Sequence, residues 1–336
     1  MKKFFILIPA LLLLFMASCD SNNGQPLIDY DMVYLQGGKL AFYKDQPQET
    51  RIYKSEHDSV VNAVYSMDSI LYYTVSHHGD LILKSLDLKD PKAKPVKVIN
   101  WDLKLSDCDN YMDGNLGAMC FNKAQDQLAM NSVMAYSYHQ YCNLNIYDFQ
   151  TKTLKKGALY QYMPDTDELY LTDEKIDFRP YKEYNVANTF ETTIFGDLYF
   201  KMDSTKISLT DQLDYRKMMW LEPELPTEYV DINVISTNPD RTKVLFTAMM
   251  PWDDYNYSCY CVSTMDGKTQ TSLDSELTKT EPRWLHDGSL VFVSQQRDNE
   301  GKKVVDKNNK PVYDLKVMAP DGTIKVLGNA CDFVVK

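Results

Sequence analysis

The 336-residue sequence predicts an all-β fold: a six-bladed β-propeller of four-stranded antiparallel blades, closed by pairing of the N- and C-terminal strands. Three observations predict it. Short β-prone runs separated by Asp, Asn, Gly and Pro turns fill the chain, and no long amphipathic helix competes with them. A strand, turn, strand pattern recurs in the last third at a spacing suited to one four-stranded unit. The two chain ends also supply complementary strands, three near the start and one at the finish.

Lys2 and Lys3 precede an apolar run from Phe4 to Met16, and the small residues Ala17 and Ser18 lead into Cys19, the layout of a secretory signal. Thirteen apolar residues are too few for a bilayer span, which takes ~18 or more. The stretch Met16-Ala17-Ser18-Cys19 resembles the bacterial lipobox, with Met16 where Leu is commonest. That resemblance implies a signal peptide over residues 1–18 and lipid attachment at Cys19. It also implies an exported, membrane-anchored protein of the cell envelope, in the outer membrane and facing the periplasm or the surface. Removing residues 1–18 takes away two lysines and no acid, so the formal charge moves from -11 to -13. Polar residues from Asp20 to Gln25 make 19–28 a flexible tether, and 29–336 is expected to form a single domain that begins near Leu27.

Strand-like runs follow at Leu40–Tyr43, Ile70–Val75, Leu81–Leu83, Leu144–Tyr147, Val244–Thr247, Leu290–Val293 and Ile324–Leu327. The last third has the clearest register. Ile235 to Phe246 followed by Tyr260 to Thr269 is matched in order by Pro282 to Phe292 and Leu315 to Ile324. Asp240 and Asp287 stand 47 residues apart, and Asp266 and Asp321 stand 55 apart. At these residues the sequence resembles the TolB-like β-propeller family, whose blades carry a Pro-Asp-Gly-type turn and a strand ending in Asp-Gly. Val64–Tyr73 with Leu81–Leu88, and Met119–Asn122 with Leu128–Met130 and Leu144–Phe149, look like further blades without the Asp-Gly signature. The blades are then 332–335 with 29–55, 58–99, 117–157, 170–211, 229–273 and 281–328. In the segment 170–211, only Thr192 to Met202 shows apolar alternation. Five or seven blades, or a pair of β-sandwiches, fit the strand spacing as well. Pairing Met32–Leu35 with Phe333–Val335 would protect both edges and tie the ring.

An excess of 47 acidic over 36 basic residues leaves no basic field, which excludes nucleic acid as a partner and adhesion to anionic lipid by charge. Beyond Cys19, the cysteines are Cys108, Cys120, Cys142, Cys259, Cys261 and Cys331, too sparse for a disulfide framework. Cys259 and Cys261 are two apart in a strand and point to one face, poorly placed to bridge each other and suited to core packing. Metal spacings, P-loops, dinucleotide fingerprints and a G-x-S-x-G elbow are absent from the sequence. No cofactor is expected, and the propeller is expected to stand without a following hydrolase domain.

In such a ring, the turns between second and third strands share one face with the links between blades. That face collects His77 and His78, then Tyr136, Tyr138, His139 and Tyr141, then Trp252, Asp253, Asp254, Tyr255 and Tyr257, with the charged insertion Gln296–Pro311. The links add Trp101, Tyr111, Tyr160, Tyr162, Tyr215 and Trp220. Loop aromatics offer rigid contact area with a polar tip, which suits a protein or glycan partner, although they serve equally to lid a core. His77, His78 and His139 could meet at a metal, but no acid is fixed beside them by sequence. Lys302, Lys303 and Lys307 are interleaved with Asp298, Glu300 and Asp306, as in a solvated hairpin tip. The expectation is a non-catalytic binding or scaffold module with membrane contact through the lipid on Cys19. The alternatives are a glycan-active enzyme using Asp253 and Asp254 as paired carboxylates and a purely structural lipoprotein.

Overall fold

The computed structural model describes residues 26–336 except 46, 105–118, 123, 136–139, 164–167, 172–173, 177–189, 193–196, 201–205, 209–230, 253–254, 274–280, 300–301, 308, 310 and 331–332. Among the described residues, regular structure is antiparallel β apart from a 3-10 turn at Leu27–Asp29. The first strands are β1 (Met32–Gln36), β2 (Lys39–Lys44) and β3 (Glu49–Ile52), followed by β4 (Ser59–Tyr65), β5 (Ile70–His77), β6 (Asp80–Asp87) and β7 (Val96–Lys104). Next come β8 (Met119–Phe121), β9 (Gln127–Ala135), β10 (Gln140–Asp148), β11 (Thr153–Met163), β12 (Glu168–Leu171) and β13 (Glu174–Ile176). Three short strands follow, β14 (Phe190–Thr192), β15 (Asp197–Phe200) and β16 (Lys206–Ser208). The last third holds β17 (Asp231–Thr237), β18 (Lys243–Trp252), β19 (Tyr255–Thr264), β20 (Gln270–Ser272), β21 (Arg283–Trp284), β22 (Leu290–Gln295), β23 (Tyr313–Met318), β24 (Ile324–Asn329) and β25 (Phe333–Val335).

Four sheets have four strands each, in the orders β25-β1-β2-β3, β4-β5-β6-β7, β17-β18-β19-β20 and β21-β22-β23-β24. The chain ends share the first of these: Met32 pairs with Val335, Val33 with Val334 and Tyr34 with Phe333. Between them the units depart from the expected four strands. One sheet has six strands, β13-β12-β11-β10-β9-β8, and the next has three, β14-β15-β16. Glu168–Ile176, expected at the start of the unit 170–211, instead extends the preceding sheet: Tyr160 pairs with Leu171 and Leu169 with Ile176. The sequence alternation is the same either way, and pairing to β11 covers an edge that would otherwise be open.

One turn geometry recurs in the well-matched and the degenerate units alike. In Ser66–Ser69, Asn122–Gln125, Asn238–Arg241 and Leu285–Gly288, the fourth residue's N–H donates to the first residue's carbonyl at 2.9–3.2 Å. The fourth residue is left-handed each time, with φ 65 at Ser69, 56 at Gln125, 56 at Arg241 and 84 at Gly288. A type I turn closed by a left-handed residue reverses a hairpin with one extra residue. The Asn side chains reinforce it: Asn238 Oδ1 accepts Thr242 N and Lys243 N at 2.8 Å each, and Asn122 Oδ1 accepts Gln127 N at 3.0 Å.

Packing follows the two-residue period of the strands. Leu71, Tyr73 and Val75 of β5 are buried with Val33, Leu40 and Phe42 of the first sheet. Leu81 and Leu83 of β6 face the other way, onto Trp101, Phe121, Leu128 and Met130. In β22, Val291 and Val293 join Met32, Tyr34 and Phe333, whereas Leu290 and Phe292 join Leu245, Tyr260 and Val262. β22 is buried along its whole length, as both of its faces are covered. Each such large apolar side chain contributes roughly 1.5–3 kcal/mol through burial. Leu27 is buried too, and Ile28 N–H donates to the Leu88 carbonyl at 3.0 Å, so the packed chain is under way by Leu27.

Candidate functional site

The hairpins between second and third strands are where the spacing placed them. β5 and β6 are joined by His78-Gly79, both left-handed at φ 51 and 89, the two-residue turn whose twist matches the flanking strands. His77 Nδ1 lies 2.8 Å from Asp58 Oδ1, and its ring packs edge-on against His78, with centroids 4.4 Å apart. Asp80 at the hairpin's far side pairs with Lys104 of β7.

Beneath this hairpin lies a polar network that the sequence did not single out. Glu56, in the link from β3 to β4, is only 3% exposed. Its Oε1 accepts Lys84 Nζ at 3.0 Å and Asp58 N–H at 3.0 Å. Its Oε2 accepts Lys84 Nζ at 2.9 Å and Tyr73 OH at 3.0 Å. Lys84 also reaches Asp58 Oδ2 at 3.1 Å, and Lys39 Nζ donates to the carbonyls of Glu56 and His57 at 2.8 and 3.0 Å. The hydrogen bond from His77, then those from Lys84, hold the Asp58 carboxyl below the usual carboxylate range. Burial works to lower the Lys84 ammonium pKa, but its bonds to Glu56 and Asp58 outweigh this and raise it. Burial, then the Glu56 charge, push the Tyr73 phenol up. With both oxygens of Glu56 doubly occupied, the carboxylate is a clamp between the first two sheets rather than a free base. The signal in the sequence is Lys84, whose strand position shares a face with residues packed on the first sheet; a lysine there calls for a buried acid.

Trp101 corrects another expectation. Sequence spacing puts it among rim-facing links, but it lies inside β7 and is fully buried between two sheets. Its Nε1 donates to Thr74 Oγ1 at 3.0 Å, and its carbonyl accepts Asn145 Nδ2 at 2.8 Å. The link begins later than the apolar pattern implied, because β7 continues to Lys104. Cys259 and Cys261 are buried free thiols on one face of β19, with their sulfurs 3.6 Å apart, and burial holds the Cys261 thiol well above its ordinary pKa. They are core residues.

β18 and β19 form a long hairpin, paired from Lys243 opposite Thr264 to Trp252 opposite Tyr255. Among the described residues, β17 pairs with β18 from Thr237 to Asp231, which lies opposite Met249, and Leu273 N–H, just past β20, donates to the Tyr260 carbonyl at 3.0 Å. Tyr141 sits at the end of β10, opposite Ala135 and Gln161. Cys19, Tyr136, Tyr138, His139, Asp253 and Asp254 lie outside the described residues, as do Tyr111, Tyr215 and Trp220. The insertion after β22 folds back on itself, with Val304 N–H donating to the Gln296 carbonyl at 2.9 Å and Val312 N–H to the Val304 carbonyl at 3.0 Å. No group of three or more metal-ligating side chains occurs among the described residues.

No family model and no curated protein sequence matches the chain. Among solved structures, it is similar to TolB from Acinetobacter baumannii at 11% identity and a TM-score of 0.42, covering 93% of this chain and 68% of that one. It is also similar to a putative TolB from Agrobacterium tumefaciens, at 12% identity and a TM-score of 0.34 over 90% of this chain and 91% of that one. The β-propeller domain of the Trilobed protease from Pyrococcus furiosus matches at 13% identity and a TM-score of 0.29, covering 91% and 88% of the two chains.

Proposed function

We propose that the protein is a lipid-anchored, exported β-propeller of six blades that acts as a non-catalytic binding or scaffold module of the cell envelope. Its partner is a protein or glycan held on the face that carries the second-to-third hairpins. The observation that carries this reading is the hairpin of β18 and β19, whose tip brings Trp252 opposite Tyr255 with Tyr257 two residues further along β19. Aromatic residues gathered at a hairpin tip offer rigid contact area with a polar end, which suits a protein or glycan partner. The Glu56 clamp fixes the neighbouring part of that face by tying the link 53–58 to β5 and β6. Packing of the first sheet against both the second and the last supports a ring. Anchoring rests on the lipobox-like Met16–Cys19 and orients the module towards partners at the membrane.

The test is crosslinking in intact cells, comparing the native chain with a Trp252→Ala, Tyr255→Ala double variant. The expected result is a discrete partner that the variant loses while its melting temperature is kept. An unchanged capture pattern would contradict binding through this hairpin. Turnover of a glycan that disappears in Asp253→Asn or Asp254→Asn with binding retained would replace the non-catalytic reading with the enzymatic one.

A further inference from the structure

The packed chain starts at one end of the strands, and the hairpins of the proposed binding face lie at the other. In the second sheet, β5 and β6 run from the His78-Gly79 hairpin back to the Ser66–Ser69 turn and to Leu88. Leu88 N–H donates to the Ser69 carbonyl at 3.1 Å, and the Leu88 carbonyl accepts Ile28 N–H at 3.0 Å. Ile28 therefore sits at the end remote from the hairpin. The first sheet gives the same polarity independently. Its hairpin, Gly37-Gly38, lies beside the His77 end of the second sheet, because Val60 N–H donates to the Gly38 carbonyl at 2.9 Å and Ser59 pairs with Ser76. Beyond the opposite end of β1, the Asp31 carbonyl accepts Lys336 N–H at 3.1 Å.

Distance turns this polarity into an orientation. Cys19 stands eight residue steps before buried Leu27, so a lipid on Cys19 holds Leu27 within ~28 Å of the bilayer surface even with every step extended. β6 alone spans eight residues, ~25 Å from the hairpin to the far end. Turning the hairpins onto the bilayer would use nearly all of that reach along the side of the sheet. A second observation marks the same end. Among the described residues, the two most exposed large apolar side chains are Met67 at 74% and Val96 at 61%. Met67 lies in the Ser66–Ser69 turn, and Val96 opens β7 opposite Ser85, two residues from the end of β6. Apolar side chains that protein leaves uncovered are stabilised at the boundary of headgroups and acyl chains.

We propose that this end of the strands is a membrane-seating surface, with Met67 and Val96 set into the interfacial layer of the bilayer and the hairpin face turned outwards. Such seating presupposes the lipid anchor on Cys19 proposed above. The anchor enforces the contact, so no basic field is needed. The hairpin face then stands off the bilayer by a strand length, out of reach of lipid headgroups and open to a protein or glycan.

The test uses the full lipidated chain in vesicles of phosphatidylethanolamine and phosphatidylglycerol, with a photo-crosslinking amino acid placed in turn at the exposed residues Met67, Val96 and His78. Lipid adducts are expected from the first two positions and not from the third. Adducts at His78, or none at Met67 and Val96, in a chain that floats with the vesicles would overturn the seating and leave the anchor standing. The anchor is read separately, by flotation and by the mass of the peptide holding Cys19. A chain that carries no lipid and fails to float overturns the anchored reading, and the seating with it.

Discussion

Replacing Glu56 with Ala removes the acceptor that holds Lys84 and Tyr73 in the junction of the first two sheets. Lys84 is 17% exposed at its side chain and keeps Asp58 at 3.1 Å, so it is weakened rather than abandoned. Tyr73, fully buried, loses the acceptor of its hydroxyl outright. Breaking a buried ion pair by removing one partner costs ~3–5 kcal/mol, and the surviving Asp58 contact places Glu56→Ala near the lower end, at about 3 kcal/mol. Glu56→Gln retains an acceptor and should cost about 1–2 kcal/mol. Urea unfolding at pH 7 reads this directly: with a slope of ~3 kcal/mol/M for a chain of this size, the midpoint should fall by about 1 M in Glu56→Ala. Combining Glu56→Ala with Lys84→Met should restore part of the loss, because no unpaired charge is then left inside. A Glu56→Ala loss below about 1 kcal/mol, or strict additivity in the double variant, would refute the assignment of Glu56 as the clamp.

The hairpin β1 to β2 offers a contrast at adjacent glycines. A Cβ at Gly38 would meet Ser59 Oγ at 2.4 Å in a left-handed backbone, whereas one at Gly37 meets nothing within 4 Å. Thermal unfolding should show Gly38→Ala more destabilised than Gly37→Ala by about 1–2 kcal/mol, and equal losses would contradict the close approach of this turn to β4. Trp101→Ala empties a fully buried site and removes the donor to Thr74 Oγ1, and should cost about 3–5 kcal/mol in chemical unfolding, while Trp101→Phe should cost less than half as much. A loss near zero for Trp101→Ala would return this residue to the rim.

Much of the architecture is legible in the sequence because it rests on period-two alternation and on turn chemistry, both local. The terminal strands are an example: Phe333–Val335 has no partner nearby in sequence, but three strands at the start lack a fourth. The repeat is visible where Asp-Gly marks it, at Gly267, Gly288 and Gly322. It is harder to see where Ser69 and Gln125 adopt the left-handed position without glycine. Glu168–Ile176 reads wrongly from sequence because a strand that extends a sheet and one that opens the next share the same pattern, and edge pairing decides between them. Trp101 is misplaced by a strand boundary, which local sequence marks weakly. Glu56 escapes notice because its partner Lys84 is 28 residues away, and a buried polar contact at that distance leaves no periodic trace. Of the proposed face, sequence spacing locates the hairpins correctly at His78-Gly79 and between Trp252 and Tyr255.

A closed ring requires the two chain ends to share one sheet. Met32 and Val335 are register partners on β1 and β25, so a Met32→Cys, Val335→Cys variant tests that pairing by oxidation and peptide mapping. The pairing predicts a disulfide between the two introduced thiols in high yield and, because it closes nearly the whole chain, a rise in melting temperature over the reduced form. Failure of these two cysteines to join in the folded protein, under conditions that oxidise accessible thiols, would contradict the shared sheet and with it the ring.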